Sequence, residues 1–116
     1  MPTKSVITFI NHASVTIASN NINLLCDPWF SGDVFHKGWN LLVENSDEQI
    51  KELLKKITHI WISHEHPDHF SIKFFNTFTK LIKERGITIL FQETKDKRVE
   101  KFLLNKNFSF IKLPFN

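Results

Sequence analysis

Residues 58–70, "THIWISHEHPDHF", join a short apolar run to a turn that holds three histidines and an aspartate within six residues. "THIWIS" is β-branched and apolar on both parities, which predicts a strand buried on both faces. His64 and His66 follow it two residues apart. In extended backbone alternate side chains point the same way, so both imidazoles can reach one ion. Pro67 forces a bend that offsets Asp68 and His69 from the first pair. That offset suits two adjacent ions better than one four-ligand cage. Imidazole and carboxylate donors suit zinc first, with manganese or iron as alternatives. The competing reading is a polar surface turn that happens to be rich in histidine. Glu65 alternates away from its neighbours, toward a supporting position or solvent.

The flanks predict the frame around this turn. Downstream, a helix is expected from Ser71 to Arg85, with Phe74, Phe75, Phe78, Leu81 and Ile82 on its apolar face and Gly86 as its stop. "ITILFQ" reads as a strand, Thr94 as the cap of a helix packing through Val99, Phe102 and Leu103, and "FSFIKL" as a last strand. Upstream, Ser46 with Gln49 has capping-box spacing, and Ile50, Leu53, Leu54 and Ile57 mark a buried helical face. "KSVITFI", "ASVTIAS" and "NINLLCD" predict an antiparallel meander, and residues 28–45 a long loop punctuated by Pro28, Gly32 and Gly38. The order β-β-β, loop, α-β-α-β-α-β gives an α/β chain with helices packed on a mixed sheet.

The 116 residues are 41% hydrophobic and 23% charged, which suits one small folded domain or part of a larger one. No window approaches the ~18 uninterrupted apolar residues of a membrane span. The N-terminus lacks the pattern of a signal peptide. Cys26 stands alone in an apolar run and reads as a small buried residue; a cytoplasmic protein is the expectation. Charge is uneven: residues 1–70 carry five Lys against eight Asp or Glu, and residues 71–116 carry ten Lys or Arg against four. The basic half could face phosphates, or its lysines could simply solvate helix surfaces. No nucleic-acid motif accompanies it, so nucleic acid is not an expected partner.

"HEHPDH" (64–69) resembles the H-x-H-x-D-H signature of the metallo-β-lactamase superfamily. "NHASVTI" followed by "LLCDPWF" resembles the "G-H-A … T-D-P" pattern of the branch holding ascorbate-6-phosphate lactonase and N-acyl-phosphatidylethanolamine phospholipase D. "DPWFSGDVFHKGW" is more loosely similar to the metallo-β-lactamase-like part of CMP-sialic acid hydroxylases. The resemblance covers essentially the whole chain. It implies His64 and His66 as ligands of one metal and Asp68 and His69 as ligands of a second. Asp68 would also act in catalysis, holding the nucleophile or shuttling a proton. Asp27 would be the carboxylate that orients the site from behind. His12 is implied to face the site or substrate, with a structural histidine as the alternative. Trp29, Phe30, Phe35 and Trp39 lie in a loop that can approach the mouth of the site, or fill a gap in the core.

The superfamily takes a further His, a bridging Asp and a final His from its second half. Here no histidine follows His69, and Asp96 is the only later aspartate. The expectation is therefore one partial domain over residues 1–116, the N-terminal half of a four-layer αββα sandwich, whose second half is absent from the chain. A complementing second half or a dimer would complete it. The activity implied is metal-dependent hydrolysis, in which a metal-activated hydroxide attacks an ester, lactone, amide or phosphodiester of a small molecule, phosphorylated or sugar-linked. The alternatives are a non-catalytic metal-binding or interaction fragment, and a metallo-nuclease.

Overall fold

The computed structural model describes residues 4–32 and 40–114. Among the described residues six strands form one sheet: β1 (Ser5–Asn11), β2 (Ser14–Ser19), β3 (Ile22–Cys26), β4 (His59–Ile62), β5 (Thr88–Gln92) and β6 (Phe110–Leu113). They lie in sequence order across the sheet. The first three pair antiparallel, and β3 to β6 pair parallel. Helices α1 (Asp47–Leu54), α2 (Ile72–Thr77), α3 (Thr79–Glu84) and α4 (Arg98–Asn105) fill the crossovers. Parallel strands in unbroken order, each reached by a crossover of one hand, leave all helices on one face.

That face is the core. Leu25, Ile60, Ile62, Ile89 and Phe91 project from the strands onto Ile50, Leu54, Phe74, Phe75, Ile82 and Leu103 of the helices. Phe70, Phe74, Phe75, Phe102 and Phe108 meet largely edge to face with centroids 5.1–6.1 Å apart, the arrangement their quadrupoles favour. The capping box at Ser46 forms as its spacing implies: Gln49 N–H donates to Ser46 Oγ, and Ser46 N–H to Gln49 Oε1.

Four expectations are corrected. β4 is buried on one face only: Ile60 and Ile62 are enclosed, while His59 and Trp61 are half-buried on the other side. The helix over 71–85 breaks at Phe78 into α2 and α3. Thr79 Oγ1 donates back to the Phe75 carbonyl, a bond that bends helices. Thr94 does not cap α4: its hydroxyl donates to the Asp96 carbonyl, and the helix starts later, with Asp96 Oδ1 accepting from Arg98 N–H. Cys26 is half-buried rather than enclosed. Burial, and then the Asp27 charge, push its thiol pKa upward.

Candidate metal centre

The cluster lies at the C-terminal edge of the parallel strands, where loops from several strands converge. β3 ends in Asp27, whose φ of 46° is left-handed, a region Asp tolerates better than most residues. This twist turns its carboxylate along the sheet edge. Asp27 Oδ1 accepts from Ser63 N–H at 2.7 Å, and Oδ2 accepts from Ser63 Oγ at 2.7 Å and from His69 Nδ1 at 3.0 Å. One buried carboxylate thus fastens the end of β4 and fixes the His69 ring. With Nδ1 engaged, His69 presents Nε2 outward, 3.4 Å from Asp68 Oδ2. A carboxylate behind a ligating histidine is the usual way a protein sets tautomer and orientation.

The motif turn closes through His69 N–H and Phe70 N–H, both donating to the His66 carbonyl at 2.9 and 2.7 Å. It folds the imidazoles together: the rings of His64 and His69 are 4.0 Å apart, and those of His64 and His66 4.7 Å. Ser63 Oγ lies 2.9 Å from His64 Nδ1. Asp68 is 6% exposed, and its Oδ1 is buried without a hydrogen-bond partner. A carboxylate oxygen left so is costly unless something else satisfies it.

His12 arrives from the opposite end of the hairpin. β2 runs antiparallel to β3, so the β1–β2 turn lies beside the end of β3, with Val15 opposite Cys26. His12 (φ 48°) sits in that turn, its Nε2 3.1 Å from Asp68 Oδ2. Ligand atoms of His12, Asp68 and His69 all fall within 4.8 Å of one another. Among the described residues this is the compact donor group. Two imidazoles and a carboxylate with an unsatisfied oxygen are a donor set that fits a divalent cation.

The aromatic loop divides. Trp29 is 2% exposed, packs edge-on against the His12 ring at 5.0 Å and donates from Nε1 to the Gly32 carbonyl. Phe30 is 1% exposed and packs on Phe74, so of the two readings of this loop it follows the core-filling one. Phe35, His36 and Trp39 lie outside the described residues. An open groove of about 470 Å³ runs from His12 over Phe9, Leu41, Leu42 and Val43. Glu65 faces Arg98 at 3.8 Å, and Arg98 is also paired with Asp96. Ser63 has no place in the sequence reading. Its only signal is a small polar residue between an apolar strand and the first histidine.

Residues 6–108 match the beta-lactamase superfamily domain. This chain belongs to the β-lactamase superfamily. Cytidine monophosphate-N-acetylneuraminic acid hydroxylase of Danio rerio is 33% identical over 79 residues, taking in 68% of this chain and 13% of that protein. The Mus musculus hydroxylase is 37% identical over 65 residues, 56% of this chain and 11% of its own length. The Homo sapiens protein, named as inactive, is 34% identical over 79 residues. The chain thus matches only a small part of these relatives' length. A solved structure named as a possible metal-dependent hydrolase, from Veillonella parvula, superposes with a TM-score of 0.63 over 97% of this chain and 42% of that one. At 17% identity that likeness shows the fold, a mixed six-stranded sheet with flanking helices of the metallo-β-lactamase kind. No helix among the described residues is long and apolar enough to cross a membrane.

Proposed function

We propose that this chain forms the N-terminal half of a metal-dependent hydrolase site, acting on an ester, lactone, amide or phosphodiester of a small molecule in the cytoplasm. The observation that carries the reading is the Asp27–His69–Asp68 relay, which ends in a buried carboxylate oxygen with no partner. His64 and His66 would hold one divalent ion, and Asp68 and His69 a second, zinc by preference of the donors and manganese or iron otherwise. Such an ion supplies Lewis acidity and makes water acidic enough to ionise near neutral pH. The chain's own residues do the rest. Asp27 and Ser63 would hold the imidazoles of His69 and His64 in one tautomer, and Asp68 would hold the nucleophile or shuttle a proton. The groove from His12 over Phe9 and Leu42 offers an apolar wall for the substrate's non-reacting part. The name of the hydroxylase relatives favours a sugar-nucleotide-like substrate, whose phosphodiester is one of the bonds proposed. The further ligands would come from a second half or from a second copy of the chain.

Zinc titration by calorimetry, beside turnover of a phosphodiester and a lactone, tests this. Zinc should bind, and His69→Ala should weaken it. Hydrolysis by this chain alone should be negligible, and should appear with a complementing second half and vanish on chelation. Absence of zinc binding overturns the proposal, as does zinc affinity indifferent to both His64→Ala and His69→Ala.

A further inference from the structure

We propose that His12, which lies outside the H-x-H-x-D-H signature, is the third ligand of the ion held by Asp68 and His69, so that this chain carries a three-ligand divalent-metal site within its own residues. The assignment rests on the hydrolase reading above and deepens it.

Four observations converge. His12 Nε2 stands 3.1 Å from Asp68 Oδ2, and His69 Nε2 stands 3.4 Å from the same oxygen. The three donors therefore surround one point from two segments: the β1–β2 turn, which carries His12, and the motif turn, which carries Asp68 and His69. Two imidazole nitrogens crowded onto one carboxylate oxygen are in the positions a shared cation would organise. The ring of His12 is held in place by a T-shaped contact with the buried Trp29. A fixed ring loses little freedom on ligation. His69 has Nδ1 committed to Asp27, which leaves Nε2 for the ion. The remaining Asp68 oxygen is buried and unpartnered. Three protein ligands with one position open is the pattern of reactive rather than purely structural zinc sites. A hydrogen bond from His12 to Asp68, with no ion, is the competing account, and the two make different predictions.

The test is cobalt(II) titration of the purified protein, followed by visible absorption and by the count of paramagnetically shifted imidazole proton sets. Wild type with both sites filled should show four shifted imidazoles, from His12, His64, His66 and His69. Three, with His12 unshifted, overturns the assignment without requiring any variant. His12→Asn keeps a donor to Asp68 and a residue tolerated in the left-handed turn. Loss of a residue that merely orients a ligand costs metal affinity about 10–100-fold, so loss of a true ligand should cost one of the two ions at least roughly 100-fold while sparing the other. Undiminished binding of both ions in His12→Asn overturns this assignment and leaves the hydrolase reading standing. Equal weakening of both ions makes His12 a positioning residue and also overturns it. Failure of the wild type to bind any ion overturns both.

Discussion

The two faces of the sheet have opposite fates. On one, Leu25, Ile60, Ile62 and Ile89 are at most 1% exposed beneath four helices. On the other, the register aligns Phe9, Val15, Cys26, Trp61, Leu90 and Ile111 in a row across all six strands, beside Ile7, Ile17 and Leu24. Phe9 and Ile7 are 68% and 69% exposed. A sheet face so apolar is built like the inside of a sandwich, and an exposed patch of this kind marks an interaction surface. The first face accounts for the chain's own stability. The second leaves large apolar side chains uncovered, and the half-domain proposal predicts a covering layer there. The candidate cluster of His12, Asp68 and His69 lies at the C-terminal edge of the parallel strands, between these two faces.

The sharpest test of this contrast uses neighbours in one strand. Leu24 and Leu25 lose the same atoms on truncation but point to opposite faces. Leu25→Ala should cost about 2–5 kcal/mol in urea unfolding, as fully buried leucines do. Leu24→Ala should cost less than about 1.5 kcal/mol, because only part of its surface leaves water. Equal losses would show that something already covers the open face in solution. The helical cover is probed more gently at its first cap. Ser46→Ala removes the acceptor for Gln49 N–H and should lower stability by about 1 kcal/mol, with the urea slope unchanged.

On the open face, Phe9→Lys with Ile111→Lys should move stability by no more than about 0.5 kcal/mol. The same pair should shift sedimentation at micromolar concentration from associated species toward the 13.7 kDa monomer. A wild type that is already strictly monomeric breaks the comparison. The smallest effect lies where α4 begins. Arg98 holds the Asp96 carboxyl down at about 2, from an ordinary 3.8. The folded value is the lower one, so Asp96 contributes stability above pH 3.8 that fades as pH falls toward 2. The side chain is exposed and the pair is screened. Wild type should therefore exceed Asp96→Asn only slightly at neutral pH, and the gap should close in acid and shrink in high salt.

Much of this was legible in residue order. The apolar spacing of Ile50, Leu53, Leu54 and Ile57 and the Ser46–Gln49 box specify a helix locally, within reach of one turn's hydrogen bonds. The strand before "HEHPDH" and the crowding of His64, His66, Asp68 and His69 are equally local, so the motif could be read as a metal site and the family resemblance drawn. What sequence could not place were contacts between distant segments. Leu24 and Leu25 are alike in sequence, and only the register puts Leu25 under the helices and Leu24 on the other side, because a one-residue shift in pairing exchanges the faces of a strand. The break at Phe78 depends on where Thr79 sends its hydroxyl. The family resemblance brought His12 and Asp27 to the site, but not the contact of His12 with Asp68 across 56 positions, nor the left-handed turn by which Asp27 reaches Ser63 and His69. Sequence by itself determined the chemistry of the donors. Only the tertiary structure decided which donors share a point in space, because that follows from strand register and turn geometry, and these are settled by packing between elements rather than within them.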